Sequence, residues 1–414
     1  MSAEEILESP APGGLSLAAR LFGGFCGRIA FGQLMVRFPD GTATLYRGRF
    51  EGGAGVLDLK RPWMLVLRLL TRGELGFGES YVEGHWDTPD LPALLEVLLN
   101  NEEHMQSGWR GMRWSRALDR LVHRKRHNHR RNSRRNIARH YDLGNDFYRR
   151  WLDASMTYSS ALFEDAGSES LEAAQQRKYE RLLAALGAKS GDRILEIGCG
   201  WGGFAEVAAR RGMQVTGVTL SREQLDYGRQ RMAAAGLTDW VELRLQDYRD
   251  IHGQFDHAVS IEMMEAVGEA YWPTYYQTLR RLVRPGGRIA LQVITISDDI
   301  FPIYRSTPDF VQIYIFPGGM LPSPQHMVQL AADAGLITQE TCWYGDDYAE
   351  TLRRWRARFH EVSGDIDALG YDARFRRLWD YYLAYCETGF KTGAIDLLQT
   401  VLEVPTEDRA SVNA

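Results

Sequence analysis

Residues 193 to 203, RILEIGCGWGG, bring one acidic side chain directly before a run of glycines. Glu196 stands near the end of a predicted strand. The glycines that follow it are Gly198, Gly200, Gly202 and Gly203. Where side chains are missing, backbone N–H groups and a helix N-terminus can approach a polar ligand closely. An acidic strand end beside bare amides suits a ligand that carries both an ammonium and a carboxylate group.

The same segment argues against a dinucleotide site. Such a site would show GxGxxG and an acidic residue at the end of the second strand. Here the glycine segment reads GCGWGG, and the second strand, QVTGVTLS, ends in Thr219, Leu220 and Ser221. The pattern E-x-G-x-G instead resembles motif I of the S-adenosylmethionine methyltransferases. In that class the residues after the third strand, here LQDYRD, lie near the adenine, and LVRPGGRIALQVI shows the usual PGG turn into the fifth strand.

Length and composition predict a two-domain protein with a large core, because the chain has 414 residues, 44% hydrophobic and 25% charged. Its four cysteines are scattered without a CxxC pair, which predicts neither a disulfide framework nor a metal site. The first apolar stretch is glycine-rich and interrupted by Arg28, unlike a signal peptide or a membrane-spanning helix. We therefore expect a cytoplasmic protein.

A strongly basic segment interrupts this otherwise acidic chain. Residues 120–140 contain nine Lys or Arg, four His and no acidic residue, although the formal net charge is -5. A solvated linker is one interpretation, and a phosphate-bearing partner is the other. Because no RNA-binding signature accompanies the segment and aromatic residues do not alternate with its arginines, we expect no nucleic acid. We predict that residues 120–139 bind an anionic membrane surface.

The basic segment also divides the chain. Upstream, short period-two runs separated by PDG and EGG turns, followed by a helical pattern, predict a small α+β domain over residues 1–118. Residues 119–139 are the basic linker. Residues 140–404 alternate strand and helix patterns, which predicts a mostly parallel sheet with helices on both faces. Residues 405–414 form a polar tail that we predict to be disordered. Strands are predicted near 193–197, 213–219, 240–245, 255–261 and 287–295, and amphipathic helices from about 350 onward.

Several separated blocks resemble one family, the cyclopropane-fatty-acyl-phospholipid synthases. The blocks are GFGESYVEGHWD (76–87), HYDLGNDFYRRWLDASMTYSSALF (140–163), GVTLSREQ (217–224), SIEMMEAVG (260–268), YIFPGGMLPSP (314–324) and LWDYYLAYCETGF (378–390). The resemblance covers nearly the whole chain. It implies a Rossmann-like, S-adenosylmethionine-dependent methyltransferase fold behind a small α+β N-terminal domain.

The resemblance also implies a set of residues that bind S-adenosylmethionine. The block at 140–163 looks like the segment that covers the cofactor, and Thr219, Leu220 and Gln224 would make the ribose and adenine contacts usually made by an acid. The full set is Tyr158, Ser159, Glu196, Gly198, Gly200, Thr219, Leu220, Gln224, Gln246, Asp247 and Tyr248.

The implied reaction is methyl transfer to the cis double bond of an unsaturated phospholipid acyl chain, which leaves a carbocation. In the family, a bound bicarbonate is thought to remove the proton, held by a Glu, a Cys, a His, a Tyr and a backbone group. Glu265, Tyr348 and Ile294 match three of these positions. Ser160 stands where Cys is typical, and Gln292 stands where His is typical.

These two departures leave the product open. Ser and Gln can donate hydrogen bonds to an anion, but Gln carries no positive charge and relays no proton. If the proton leaves the new methyl group, a cyclopropane forms; if it leaves an adjacent chain carbon, a methyl-branched alkene forms. We expect a cyclopropane or a methyl- or methylene-branched chain, with a lean to the branched product. Glu265 has a second interpretation, as a cap for the helix that follows it.

Two other classes of function stay open from the residues alone. A methyltransferase for soluble acceptors would share the catalytic domain but would not need the N-terminal domain. An RNA-binding or RNA-modifying protein would use the arginine-rich segment. By analogy with the family, a homodimer is also expected.

Overall fold

The computed structural model describes residues 17–102, 104 and 143–406. These residues divide into two compact units, which we describe separately. The first unit contains residues 17–102 together with 370–388, and the second contains 143–369 together with 389–406.

This division differs from the predicted domains in one respect. The catalytic domain predicted over residues 140–404 is interrupted, because residues 370–388 count with the first unit. The amphipathic pattern in that stretch identifies a helix but not the core against which it packs. The predicted basic linker, 119–139, and residues 407–414 of the predicted tail lie outside the described residues.

The first unit is built around a four-stranded sheet in the order β2-β1-β3-β4. Strand β1 runs parallel to β3 and antiparallel to β2, and β4 is antiparallel to β3. The PDG sequence makes the β1–β2 turn, where Gly41 has φ 84 and the Asp40 carboxylate accepts a hydrogen bond from the N–H of Thr42. The elements are α1 (Leu17–Cys26), β1 (Phe31–Arg37), β2 (Ala43–Arg47), β3 (Phe50–Leu59), α2 (Pro62–Val82), β4 (Trp86–Asp87) and α3 (Leu91–Asn100).

Asn101 connects the end of α3 to the start of β1. Its Oδ1 accepts hydrogen bonds from the N–H groups of Ala30 and Phe31 at 2.7 and 2.9 Å. Its Nδ2 donates to the carbonyl oxygens of Phe31 and Val97 at 2.9 and 2.8 Å. Because the side chain is fully buried, it satisfies backbone groups that water cannot reach.

The second unit contains a seven-stranded sheet in the order β10-β11-β9-β8-β5-β6-β7. The pairs from β9 to β7 are all parallel, whereas β11 is antiparallel to both of its neighbours. This mostly parallel sheet confirms the predicted fold class. The strands are β5 (Arg193–Ile197), β6 (Gln214–Thr219), β7 (Val241–Leu245), β8 (Phe255–Ile261), β9 (Val283–Ile296), β10 (Ile337–Trp343) and β11 (Ile395–Glu403).

Helices accompany both faces of this sheet, and two buried clusters mark the two sides. One cluster includes Leu195, Trp272 and Leu291, and the other includes Leu183, Phe204 and Val259. Consecutive strand residues alternate between the clusters, as the period-two geometry of a strand requires. The helices after α3 are α4 (Asn145–Trp151), α5 (Leu171–Leu186), α6 (Gly203–Arg210), α7 (Arg222–Ala234), α8 (Met264–Val267), α9 (Trp272–Leu282), α10 (Phe301–Tyr304), α11 (Phe310–Tyr314), α12 (Pro324–Asp333), α13 (Gly345–Glu361), α14 (Ser363–Ala368) and α15 (Ala373–Lys391).

The five predicted strands are present, and two further strands were missed. Strand β10 carries mostly exposed and polar residues, Thr338 to Thr341 among them, so it lacks the apolar alternation that predicts a strand. Strand β11 follows the long helix α15 and lies in the sheet between β10 and β9. Among the described helices, none has an apolar run long enough to cross a bilayer.

The Asn101 contacts lead to a stability prediction. We expect Asn101→Ala to lower the free energy of unfolding of the first unit, since each buried backbone group left without a partner costs about 1–3 kcal/mol. The measurement is hydrogen exchange of the β1 and α3 amides in the full chain, which follows this unit alone. The neighbouring Asn100→Ala is the control, because Asn100 is exposed. Equal protection in both variants would contradict the role given to Asn101.

Candidate active site

A cavity lies at the carboxyl ends of β5, β6, β7 and β8, where open parallel sheets bind their ligands. It contains about 960 Å³ of space between atoms, counted out to its open mouth. The ends of these strands and the loops after them supply Gly198, Thr219, Gln246 and Glu262 to its wall. The segment from Met156 to Ser159 contributes a further part of the wall.

The glycine loop after β5 is shaped by two different constraints. Gly198 has φ 84, and a Cβ there would lie 2.8 Å from Cγ of Met263. Gly200 has φ 49, and a Cβ there would meet no atom within 4 Å. Gly198 is therefore required by the packing of the protein itself. Gly200 combines a backbone conformation that favours glycine with open space on the cavity side.

The residues predicted to bind the cofactor are brought together by the fold at this cavity. All except Asp247 line this cavity. Asp247 caps the 3-10 turn Tyr248–Asp250, and its carboxylate binds the Arg249 guanidinium at 2.6 Å. Its predicted contact with the cofactor stays a prediction. The cavity-lining role of the other residues agrees with their predicted function, which stays a prediction.

Glu196 is a buried carboxylate on the cavity wall whose Oε2 has no hydrogen-bond partner within the described residues. Burial raises the pKa of Glu196 well above its ordinary value, although Arg231 and Lys178 lower it. An unpaired buried acceptor of this kind is unfavourable unless a ligand donates to it. A ligand ammonium group fits this requirement.

Thr219 and Gln224 form a second polar group on the wall. The Thr219 hydroxyl donates to Oε1 of Gln224 at 2.8 Å, and Thr219 Oγ1 accepts from the N–H of Ser221. Ser221 in turn caps α7 by accepting from the N–H of Gln224. Because Oε1 of Gln224 is used within the protein, its amide nitrogen is the group that can donate to a ligand.

A second carboxylate, Glu262, reaches the cavity wall directly after β8. Its Oε1 accepts hydrogen bonds from the Ser160 N–H at 2.9 Å and from Gln292 Nε2 at 2.7 Å. Its Oε2 accepts from the Tyr348 hydroxyl at 2.5 Å. Burial raises the pKa of Glu262, while Lys178 and these donors lower it.

Three of the five predicted catalytic residues therefore meet on Glu262, which the sequence analysis did not select. Ser160 contributes its backbone N–H there, because its hydroxyl donates to the Ala161 carbonyl. Glu262 lies in the block SIEMMEAVG, three residues before Glu265. A second acidic residue in that block was the available signal.

The other two predicted residues form a neighbouring pair. Oε1 of Glu265 accepts a hydrogen bond from the Ile294 N–H at 2.6 Å, and its Oε2 has no partner within the described residues. Burial and the charge of Glu262 together raise the pKa of Glu265 to about 8. Glu265 is absent from the lining of the cavity described above.

Lys178 is a fully buried cation that the sequence analysis also missed. Its Nζ donates to the Ser159 hydroxyl at 2.6 Å. Burial lowers the pKa of Lys178 to about 7, opposed by Glu262, Asp153 and Glu196. Lys178 lies on α5 in the polar sequence QQRKYER, where a buried lysine cannot be distinguished from an exposed one.

Comparisons with known proteins agree with this geometry. A family model described as mycolic acid cyclopropane synthetase matches residues 128–400. The chain belongs to this family. The tuberculostearic acid methyltransferase of Mycobacterium tuberculosis is 42% identical over 377 residues, covering 89% of this chain and 87% of that relative. The cyclopropane-fatty-acyl-phospholipid synthase of Escherichia coli K12 is 35% identical over 348 residues, covering 82% and 86%.

A solved structure supports the same assignment. The crystal structure of a mycolic acid cyclopropane synthase with SAH and CTAB superposes with a TM-score of 0.61 at 30% identity. The match covers 65% of this chain and 98% of that one. The protein is thus an S-adenosylmethionine-dependent methyltransferase of a family that modifies fatty acyl chains, which confirms the predicted family, fold and cofactor.

The position of Glu196 predicts how the cofactor binds. We expect Glu196→Gln to weaken binding of S-adenosylhomocysteine about 10- to 100-fold, the value of a hydrogen bond to a charged group. Burial raises the pKa of Glu196, and an ammonium ligand would favour its ionised form. Binding should therefore release protons and tighten as pH rises.

Calorimetry in buffers of different ionisation enthalpy measures both effects. The proton release of the unmodified protein should fall in Glu196→Gln. The control is Glu242→Gln, which removes an exposed carboxylate from β7. Unchanged affinity and proton release in Glu196→Gln would show that this carboxylate does not meet the ammonium group.

Proposed function

We propose that the protein methylates the cis double bond of an unsaturated phospholipid acyl chain, giving a methyl- or methylene-branched chain. The observation that carries this proposal is a carboxylate, Glu262, on the wall of the cavity and bound to the neutral donors Gln292 and Tyr348. A reaction that forms a carbocation needs a proton acceptor near the cofactor, and this arrangement supplies one.

The chemistry can be written with each electron pair assigned. S-adenosylmethionine, when bound, supplies an electrophilic methyl group. The π electrons of the double bond form the new carbon–carbon bond, S-adenosylhomocysteine leaves, and the neighbouring carbon becomes cationic. Loss of a proton from the chain carbon that bears the methyl group gives a methyl-branched alkene. A methylene branch needs a hydride shift first, after which the methyl group loses the proton.

A cyclopropane is the second candidate product, because the matching family model and the Escherichia coli relative carry that name. It forms if the new methyl group loses its proton while its carbon closes onto the cation. The branched product is favoured by Gln292, which cannot carry a positive charge, and by the 42% identity to a tuberculostearic acid methyltransferase. Ser160, Gln292 and Tyr348 are proposed to hold the proton-accepting group in place, and Glu265 and Ile294 are proposed to form the catalytic pair beside it.

We also propose that the protein works at the cytoplasmic face of a membrane as a peripheral protein. The basic residues 120–139, which lie outside the described part of the chain, suit an anionic surface. Further support comes from the start of α2, where Trp63 and Leu67 are 53% and 54% exposed. Met64 and Leu70 are exposed beside them, and Lys60 and Arg61 precede the helix. Apolar side chains next to cations are typical of interfacial helices.

A homodimer stays a prediction.

The reaction is tested by incubating the protein with methyl-labelled S-adenosylmethionine and vesicles of a cis-monounsaturated phospholipid. We expect label in the acyl chain as a methyl or methylene branch, and none with saturated lipid. Fatty acid methyl esters are analysed by mass spectrometry and then by NMR, because a cyclopropane and a methylene branch have equal mass.

The product of this assay, together with assays on a soluble acceptor and on RNA binding, distinguishes the proposal from its alternatives. A cyclopropane in place of the branch would overturn the proposed product. Methylation of a soluble acceptor without lipid, or tighter salt-dependent binding to RNA than to anionic vesicles, would overturn the proposed substrate class.

Membrane binding is tested on the apolar face of α2. Replacing Trp63 and Leu67 together by Ala should lower partitioning into anionic vesicles at least about tenfold, because a fully buried apolar side chain is worth about 1.5–3 kcal/mol. Vesicle co-sedimentation measures the change. The control is Thr71→Ala, an exposed polar position of the same helix. Equal partitioning of the double variant and the control would exclude this face from membrane binding.

A further inference from the structure

Three of the five residues that the family resemblance assigned to a bicarbonate ion are bound to a side chain of this protein. Gln292 Nε2, the Tyr348 hydroxyl and the Ser160 N–H all donate to the Glu262 carboxylate, at 2.7, 2.5 and 2.9 Å. They come from β9, from α13 and from the segment before α5. Three separate parts of the second unit thus converge on one carboxylate.

These residues do not fit a bicarbonate in addition to Glu262. A bicarbonate presents the same O–C–O group as a carboxylate and needs the same N–H and O–H donors. Gln292 cannot turn away to serve a second anion, since its Oε1 accepts from Gln399 Nε2 at 2.7 Å. That contact fixes the amide with its nitrogen towards Glu262. The expected bicarbonate site is therefore filled by the protein itself.

The backbone at this position supports a functional reason for the arrangement. Glu262 has φ 49, in the left-handed region that favours glycine. A non-glycine residue held there costs about 1–3 kcal/mol, and such strain clusters at functional sites. Met156, the other described non-glycine residue with positive φ, also lines the cavity. The Glu262 N–H donates to the Gln292 carbonyl at 2.7 Å, which helps to hold this conformation.

We propose that the Glu262 carboxylate is the base of this enzyme and replaces bicarbonate in the reaction. The inference rests on the proposed function. The carboxylate takes the proton from the carbocationic acyl chain, and the electron pair of the broken C–H bond becomes the carbon–carbon double bond of the branched product. Glu262 becomes a neutral carboxylic acid, which returns the proton to solvent before the next turnover.

Glu262 suits this role better than Glu265. It lines the cavity, whereas Glu265 does not. Its two oxygens offer about four acceptor positions in all, and the three donors leave one of them for the substrate proton. Glu265 instead accepts a hydrogen bond from the Ile294 N–H on the neighbouring strand β9. The charge of Glu262 raises the pKa of Glu265.

The first test asks which group holds the anion position, and it needs no lipid. Binding of ¹³C-bicarbonate is measured by NMR in the presence of S-adenosylhomocysteine. We expect no binding to the unmodified protein and binding to Glu262→Gly, because glycine removes the carboxylate and suits φ 49. Glu262→Gln should bind none, since its amide still fills the space.

The second test measures turnover in buffer depleted of carbon dioxide and in buffer with added bicarbonate. The unmodified protein should be equally active in both. Glu262→Gly and Glu262→Gln should each lose at least about 100-fold in kcat, the usual contribution of a general base. Added bicarbonate should restore part of the activity of Glu262→Gly and none of that of Glu262→Gln. Glu242→Gln, an exposed position on β7, is the control.

Four results would overturn the inference: bicarbonate binding by the unmodified protein, its stimulation by bicarbonate, full activity of Glu262→Gln, or no rescue of a folded Glu262→Gly. Folding is checked by S-adenosylhomocysteine affinity and thermal unfolding, and if Glu262→Gly fails them, Glu262→Gln decides on its own. If the unmodified protein methylates no lipid, the proposed function and the base role both fall, whereas the first test still decides which group occupies the anion position.

Discussion

The site depends on three hydrogen bonds that are donated to the Glu262 carboxylate. It connects the segment that covers the cavity, through Ser160, to the sheet, through Gln292, and to helix α13, through Tyr348. Tyr348 also stacks on Phe390 with ring centroids 4.5 Å apart, a contact that packs its ring. A buried carboxylate is stable only when its oxygens are satisfied, so the charge of Glu262 and the closed arrangement of these segments stabilise each other.

Lys178 balances the negative charges around the cavity. It is fully buried, and Glu262, Asp153 and Glu196 all favour its charged form. In return, Lys178 favours the ionised forms of Glu196 and Glu262. A cation that binds at Glu196 would therefore join Lys178 in balancing the negative charge of these carboxylates. This is a reason why a sulfonium ligand with an ammonium group suits the cavity and an anionic one does not.

The sequence was informative where local pattern and function coincide. Glu196, Gly198 and Gly200 could be assigned because a strand that ends in glycines has few other uses, and the parallel strands follow from their apolar periodicity. Glu262 could not be assigned, because its importance comes from a positive φ and from donors 30 or more residues away in sequence. Lys178 could not be assigned because it lies in a polar helix sequence. Strand β10 could not be assigned because its residues are mostly exposed and polar. In each case the decisive fact was a long-range contact, which periodicity does not encode.

The two oxygens of Glu262 are not equivalent, and this decides where a proton can reside. Oε1 faces N–H groups of Ser160 and Gln292, which can donate but never accept, so a proton on Oε1 would oppose two donors. Oε2 faces the Tyr348 hydroxyl, which can reverse from donor to acceptor. The carboxylate can therefore gain a proton on Oε2 without opposing the two N–H donors on Oε1. A histidinium in place of Gln292 would favour the anion through its charge and make it a weaker base, whereas the neutral amide holds the carboxylate and leaves more of its basicity intact.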